Sequence, residues 1–443
     1  MAKNPGIPFA QDQDERSGPK LSVTIEAVAF GGDGLARHDG KVIFVPDAIP
    51  EESLEIEILK DHGRFAHGRR LRTLQPAPYS QENPCPYAEL CGGCQWLHVP
   101  YERQLAWKKS FIAAAFQKFA KVEWPSSWPI VAAPQTAGYR NRIKIKLQHL
   151  PSGSFRWGYY AKGSHTLVPI KHCWIAADPI NKVLQAFSEL NCKAPQQGAL
   201  YELELQHLPG TDDQVTAAFL PPAPDSFIDR LREASAQHPI LGKRLIWSKA
   251  NDPARIFEED RNLTYHTHAG QFQQVNREAN HYLRAWIERK ALALGAERIV
   301  DLFCGSGNLS LGLAQAGSQV WGLEVGEAAI AAAAQNVSVN ELDTAQYACG
   351  LAHHLHAIYP DLKGQSIDLV LVDPPRKGMA EALESVLSLK APHLIYVSCD
   401  PNTLARDLRT ILEAGYTLKD GLGLDFFPHS YHVETVVHLS LLP

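Results

Sequence analysis

The chain of 443 residues has room for two to four domains, and its 45% hydrophobic and 21% charged content excludes fibrous and disordered classes. No apolar run approaches the roughly 20 residues that cross a bilayer, and the polar opening MAKNPGIPFAQDQDERSGPK lacks the apolar stretch of a signal peptide, so residues 1–20 read as the flexible tail of a cytoplasmic protein with no membrane partner. A formal charge of −5 excludes a uniformly basic nucleic-acid binder and makes any phosphate contact local, while eight cysteines in a reducing compartment point to metal or catalysis rather than disulfides.

Residues 21–79 alternate short apolar runs with glycine: VTIEAVAF, GGDGLARHDGK, VIFVPDAIP and SLEIEILK. Five short strands in so few residues predict a small barrel of the oligonucleotide-binding kind. Between Leu59 and Gln75 the cations Lys60, Arg64, Arg69, Arg70 and Arg72 meet a single acid, Asp61, which suggests an RNA-facing strip. The stretch resembles a TRAM domain, a small RNA-binding barrel.

Residues 80–262 are expected to form a mixed α+β central domain. It opens with CPYAELCGGCQWLH, where Cys85, Cys91 and Cys94 surround Gly92 and Gly93. The glycines free the backbone to wrap a metal centre. A fourth thiolate is available at Cys173, in a loop after a strand, or at Cys192, and Cys173 is the better placed. Four thiolates suit zinc or an iron–sulfur cluster equally. Leu105 to Val122 reads as an amphipathic helix followed by a proline-rich linker, EWPSSWPIVAAP. In YRNRIKIKLQHL the cations Arg140, Arg142, Lys144 and Lys146 recur at period two, which places them on one face of a strand and makes Arg140 and Arg142 candidate RNA contacts.

Residues 263–443 switch to alternating strand and helix, the pattern of a Rossmann-like, doubly wound α/β sheet. RIVDLFCGSGNLSLGLA is strand, glycine turn and helix; VWGLEV ends in Glu324, an acid placed to hold ribose hydroxyls. The loop carries Asp301, Phe303, Gly305, Gly307 and Asn308, but the third glycine of a dinucleotide fingerprint is replaced by Ser310. That departure favours S-adenosylmethionine over a pyrophosphate ligand. Asp373-Pro374-Pro375 closes the fourth strand at the binding crevice. Arg376-Lys377-Gly378 follows, where amine methyltransferases carry an aromatic residue, which argues against an exocyclic nitrogen as acceptor.

In LIYVSCDPNTLAR a buried strand ends at Cys399, with Asp400 as N-cap and Pro401 as the first helical residue. A sheet edge and a helix N-terminus both favour thiolate, so a lowered thiol pKa is expected. A thiolate solves a specific problem of pyrimidine chemistry. C5 of uracil is too weak a nucleophile to take a sulfonium methyl unaided, whereas addition of sulfur at C6 creates carbanion character at C5. A base must then remove the C5 proton; Glu434, opening the apolar final strand of SYHVETVVHLSLL, is the candidate and His432 its rival.

Taken together, C-x5-C-GG-C with a later lone cysteine, QFQQVN, DLFCGSGN, VDPPRKG, SCDPNTLARDL and HVETVV resemble the uracil-5 RNA methyltransferases, in particular the bacterial branch with a TRAM domain and a [4Fe-4S] cluster that acts on 23S ribosomal RNA. The resemblance runs from about Leu21 to the C-terminus. It implies that Cys399 is the nucleophile and Glu434 the base, and that Cys85, Cys91, Cys94 and Cys173 hold the cluster. S-adenosylmethionine contacts fall to Gln274, Phe303, Asn308, Glu324 and Asp373, and Phe272 to the RNA. The implied partner is 23S ribosomal RNA before full ribosome assembly, met by a monomer. Two departures stand out: Gln273 replaces a second aromatic before Gln274, and YACGLAHHL lacks the Asn or Asp that usually follows the third strand. A cytosine-5 RNA methyltransferase and a non-catalytic iron–sulfur RNA-binding protein are the alternatives.

Overall fold

The computed structural model describes residues 18–150, 155–190, 200–208, 213–220, 223–249, 252 and 255–442; nearly all of the expected tail and the alternative ligand Cys192 lie outside them. The chain forms two compact units. One comprises the described residues through Gln104 with Tyr159–Val168 and His429–Tyr431, and the other the remainder, so the expected central domain is divided between them.

In the first unit six strands pair in the order Lys20–Thr24, Ser53–Asp61, Phe65–Gln75, Lys41–Val45, Gly34–His38, Ala27–Val28. The extra strand arises because the run VTIEAVAF changes partner midway: Ile25 donates its backbone N–H to Glu52 and Glu26 donates to Leu35, turning the sheet's corner. Val23, Ile25, Ile43, Val45, Leu54 and Ile56 fill the interior, as alternation demands. The basic strip differs from expectation. Antiparallel pairing of Ser53–Asp61 with Phe65–Gln75 sets Glu57 across from Arg69 and Glu55 across from Arg72, giving ion pairs at 2.5 Å and 2.7 Å, while Arg70, opposite Ile56, reaches Glu52 just ahead of the strand at 2.8 Å.

The second unit holds two principal sheets. In the smaller, Arg142–His149 pairs antiparallel with Leu200–His207. Its cations also find acids on the neighbouring strand: Lys144 lies 3.5 Å from Glu202, Lys146 pairs with Glu202, and Arg142 lies 3.5 Å from Glu204. The predicted cationic face is thus an internally neutralised ladder.

The larger sheet runs Ala345–Cys349, Gln319–Glu324, Arg298–Leu302, Leu369–Val372, His393–Ser398, Glu434–Leu441, Tyr416–Leu424, Ile130–Val131. The first five strands are parallel, as predicted. Glu434–Leu441 runs antiparallel to both of its neighbours, so the sheet is mixed rather than wholly parallel. Ile130–Val131, from the proline-rich linker, adds a short edge against Gly423 and Leu424. Every residue of Leu369–Val372 is buried, the composition of a strand covered on both faces. Helix Tyr101–Ala115 continues into a wider turn, Phe116–Ala120, which ends at Lys121 with a left-handed φ of 59°. Its Lys108 is fully buried and donates to Asp425 at 2.6 Å. No helix among the described residues is long and apolar enough to cross a membrane.

Candidate active site

The strand His393–Ser398 delivers Cys399 to the carboxyl edge of the larger sheet, and Asp400 caps the following helix, Pro401–Glu413, by accepting the amide N–H groups of Asn402 (2.9 Å) and Thr403 (3.2 Å). Register places Ser398 opposite Thr435; continuing the antiparallel pairing by one residue brings Glu434 beside Cys399. Arg376 reaches the same thiol from the loop after Leu369–Val372 and hydrogen-bonds it. That loop is held from both sides. Thr403 Oγ1 donates to the Arg376 carbonyl at 3.1 Å, and Gly378, at φ 83°, leaves no room for a Cβ, which would stand 2.4 Å from Thr403 Cγ2.

The electrostatics overturn one expectation. Burial, then the charge of Glu434, push the Cys399 thiol up to about 12 despite the helix start; Arg376 offsets this only in part. A helix end within reach is worth less here than loss of water around the sulfur. Glu434, 3% exposed, is itself held well above the ordinary carboxylate range by burial and by Asp373. Burial brings Asp373 to about 7. Two carboxylates in one dry site cannot both ionise cheaply, so at neutral pH the pair retains a proton. His432 is driven down to about 4 by burial and by Arg376, Lys108 and Arg140. Neutral but weakly basic, it is the poorer base of the two candidates.

Next to this edge lies the glycine loop. Phe303 takes a left-handed φ of 63°, and Gly305 and Gly307 follow at 55° and 85°. A Cβ on Gly307 would fall 2.9 Å from the Tyr347 hydroxyl. Glu324 accepts the backbone N–H of Gly305 (3.3 Å) and of Gly326 (2.9 Å), which orients its carboxylate at the end of its strand. Asp301 is the residue that sequence reasoning left without a role. It is buried, pushed up to about 8 chiefly by that burial, and takes the Ser310 hydroxyl on Oδ2 at 2.5 Å, while Oδ1 is buried with no donor among the described residues. An orphaned carboxylate oxygen under a glycine cradle fits a cationic ligand such as S-adenosylmethionine.

Asn308 is engaged by protein. Its Oδ1 accepts from Asn280 (2.9 Å) and from Arg284 Nη2 (2.5 Å). Arg284, 1% exposed, also donates to Glu258 at 2.8 Å and stacks 3.8 Å from the Tyr265 ring. Glu258, Asp260 and His281 bring ligand atoms within 4.8 Å of one another, but with Arg284 bridging the two acids the group is an ion-pair network rather than a vacant cation site.

Among the remaining expected residues, Gln274 is buried and Phe272 is 77% exposed. The Gln273 amide is buried with neither end partnered among the described residues. Arg142 is buried and donates to the carbonyls of Gln271 and Gln273, so its guanidinium holds this segment in place. Arg140 lies 5.8 Å from the Phe427 ring. Cys85, Cys91 and Cys94 sit part-exposed on one loop, pinned where Cys91 takes the Tyr87 carbonyl at 2.7 Å and Gly92 that of Tyr160 at 3.2 Å. Cys173 is fixed by Asn181, which accepts its N–H at 2.8 Å and donates to its carbonyl at 3.1 Å.

Numbered along the chain from Arg298–Leu302, the larger sheet has strand order 3-2-1-4-5-7-6 with the seventh antiparallel; with the glycine loop and orphaned Asp301, this defines an S-adenosylmethionine-dependent methyltransferase fold. Comparison with known proteins gives the family. Residues 239–441 match the family model for tRNA (Uracil-5-)-methyltransferase and residues 15–71 that for the TRAM domain. A 23S rRNA (uracil(1939)-C(5))-methyltransferase RlmD of Pseudomonas putida is 32% identical, with 95% of this chain and 93% of that protein covered. An uncharacterized RNA methyltransferase of Thermosynechococcus vestitus is 32% identical over 96% of this chain and 99% of its own length. The fold also matches the Pyrococcus abyssi tRNA (uracil-54, C5)-methyltransferase solved with S-adenosyl-L-homocysteine, at a TM-score of 0.68 and 22% identity, covering 95% of this chain and 100% of that one. The chain belongs to the RNA uracil-5 methyltransferase family and carries an N-terminal TRAM domain.

Proposed function

We propose that the protein methylates C5 of a specific uridine in 23S ribosomal RNA through a transient bond between Cys399 and C6 of the base. The observation that carries this is the meeting of a thiol, a guanidinium and two proton-sharing carboxylates at the crevice end of one sheet. S-adenosylmethionine supplies an electrophilic methyl group and a positive charge. Gln274, Phe303, Asn308, Glu324 and Asp373 line the crevice that takes it, Asn308 by way of the loop that Arg284 secures, and Asp301 supplies the buried acceptor for a cationic group.

Cys399 must shed a proton to solvent before it attacks. A cation in the crevice weakens the carboxylate field that holds the proton on, and Arg376 retains the thiolate. Sulfur then bonds to C6 while the C5–C6 π pair shifts to C4–C5 and the carbonyl π pair moves onto O4 as an enolate. C5 takes the methyl group, leaving S-adenosylhomocysteine. Ionised Glu434 removes the C5 proton; the C–H electrons restore the double bond and expel sulfur from C6. The target base has to leave its stack to reach the thiol, and Phe272, exposed ahead of Gln274, is suited to stack against RNA bases, with Arg140 as a further RNA contact. Cys85, Cys91, Cys94 and Cys173 would hold a [4Fe-4S] cluster through their four thiolates. Iron and sulfide in a brown protein after anaerobic purification support it; stoichiometric zinc in a colourless protein overturns it.

The decisive experiment offers the enzyme and S-adenosylmethionine a 23S fragment, or a tRNA transcript, containing 5-fluorouridine. Fluorine cannot leave as a proton, so a denaturation-stable adduct is expected with the 23S fragment. Absence of an adduct from enzyme that methylates the unmodified RNA removes Cys399 from its role, and an adduct with tRNA alone overturns the substrate.

A further inference from the structure

The first unit contains a cavity of about 520 Å³, a volume within the range of small-ligand sites, that the methyl-transfer chemistry does not use. Its walls include Asp33, Asp47, Gln95, Tyr159, Tyr160 and Lys162. Bare backbone completes them: glycine pairs at 31–32 and 92–93 let the wall approach a flat ligand closely. The polar groups are unequal. Lys162 neutralises Asp47 at 3.2 Å. Asp33, half-buried, has no hydrogen bond or ion pair for its carboxylate among the described residues; His67 and Asp47 are the charges that act on it. Gln95 donates from Nε2 to the Gly92 carbonyl at 3.3 Å, and its Oε1 is buried with no partner among the described residues. The Asp33 carboxylate is therefore an acceptor on the cavity wall in want of a donor among the described residues.

A second feature leads to it. Phe44, His62, Phe65 and His67 form a ring cluster, with His62 stacked on Phe65 at 4.6 Å and Phe44 on His67 at 5.5 Å. Phe65 is 38% exposed, and His67 is the cation-capable group facing Asp33. Exposed rings beside Lys60 and Arg64 suit unpaired nucleotides, whose bases stack without regard to sequence.

We propose that this cavity binds a guanine base of single-stranded RNA, with the neighbouring nucleotides on the ring cluster. Guanine is the base whose pairing edge offers two adjacent donors, N1–H and the N2 amine, and a carboxylate accepts both at once. Adenine and cytosine set an amine beside an acceptor, and uracil sets its single donor between two carbonyls. The site rests on the reading that RNA is the substrate, and it deepens that reading by giving the enzyme a sequence-specific contact distinct from the methylated uridine.

The test is fluorescence anisotropy with the full-length holoprotein and labelled pyrimidine oligonucleotides bearing one central guanosine, inosine or adenosine. Inosine lacks only the N2 amine, so the guanosine oligonucleotide is expected to bind about tenfold more tightly. Asp33→Asn is expected to erase that ratio, and Phe65→Ala to weaken all three oligonucleotides alike while keeping it. Equal binding of guanosine and inosine by the wild-type protein overturns the site, whatever the variants do. Displacement by free GMP as effective as by the oligonucleotide overturns the assignment to RNA. Methyl transfer measured in parallel separates the two readings: transfer without a guanosine preference sinks the cavity alone, and a preference without transfer sinks only the proposed reaction.

Discussion

Charge is handled in opposite ways on the two RNA-facing candidate strips and at the sheet edge around Cys399. On the strips, cations meet glutamates across the ladder: Arg69–Glu57 and Arg72–Glu55 in the barrel, Lys144 and Lys146 with Glu202 in the smaller sheet. At the edge, Asp301 and Glu434 are buried and Asp373 partly so, all with far less compensation, and each is pushed toward its protonated form. Paired charge on a wet surface contributes little and asks for no ligand. Unpaired charge in a dry site is costly unless something arrives to balance it. The contrast locates function at the edge, and measurements there should show far larger effects than on the strips.

The largest effect is expected from Cys399→Ala, which should abolish both turnover and the 5-fluorouridine adduct in a protein that still binds RNA; turnover at the wild-type rate would break the contrast outright. Glu434→Gln should slow release by about 10²–10⁴-fold and accumulate an adduct that already carries the methyl group, visible as protein–RNA linkage on denaturing gels. Asp301→Asn should weaken S-adenosylmethionine binding by about 10–100-fold, the worth of a charge-assisted contact, as titration calorimetry can read. The same variant should melt higher without ligand. The Asp301 carboxyl, raised to about 8 in the folded chain against 3.8 unfolded, binds a proton more tightly when folded. Between those values the wild type loses stability as pH rises, by at most roughly 1.4 kcal/mol per pH unit, and the amide does not. Activity should follow the opposite course. The protonated Asp373–Glu434 pair is no base, so the rate should climb with pH at and above about 7, where Asp373 titrates; a plateau already reached at pH 5 would show that neither carboxylate limits turnover.

Much of this was legible in residue order because local rules decided it. The buried strand into Cys399, the Asp400 cap and Pro401 follow from composition and capping chemistry, and the glycine loop with Glu324 follows from the strand–turn–helix pattern. What stayed hidden depended on partners distant in sequence. The thiol's high pKa comes from burial and from Glu434 folding against it, with Arg376 working the other way. Nothing in VDPPRKG says which way the Arg376 side chain turns. The pairing on the strips stayed hidden for the same reason: the glutamates that neutralise Arg69 and Lys146 lie 12 and 56 residues away in the chain, beyond the reach of any charge-run argument. The hold that Arg284 has on Asn308 is likewise invisible in residue order, the two lying 24 residues apart.

The smallest effect sharpens the comparison from its quiet side. Lys144, 42% exposed at the side chain, faces Glu202 at 3.5 Å and Glu204 at 3.9 Å, so it has already satisfied in the protein the charge it would offer a phosphate. Lys144→Ala should change RNA affinity less than about twofold at physiological salt and stability by no more than about 1 kcal/mol. It should also leave the slope of binding against salt unmoved, since a cation that releases no phosphate counterion contributes nothing to that slope. Lys60 and Arg64 are exposed and have no such glutamates among the described residues, and replacing either should reduce the slope by about one. If Lys144→Ala reduced it as much, the ladder would have to open on RNA binding, and its glutamates would then be a gate rather than a brace.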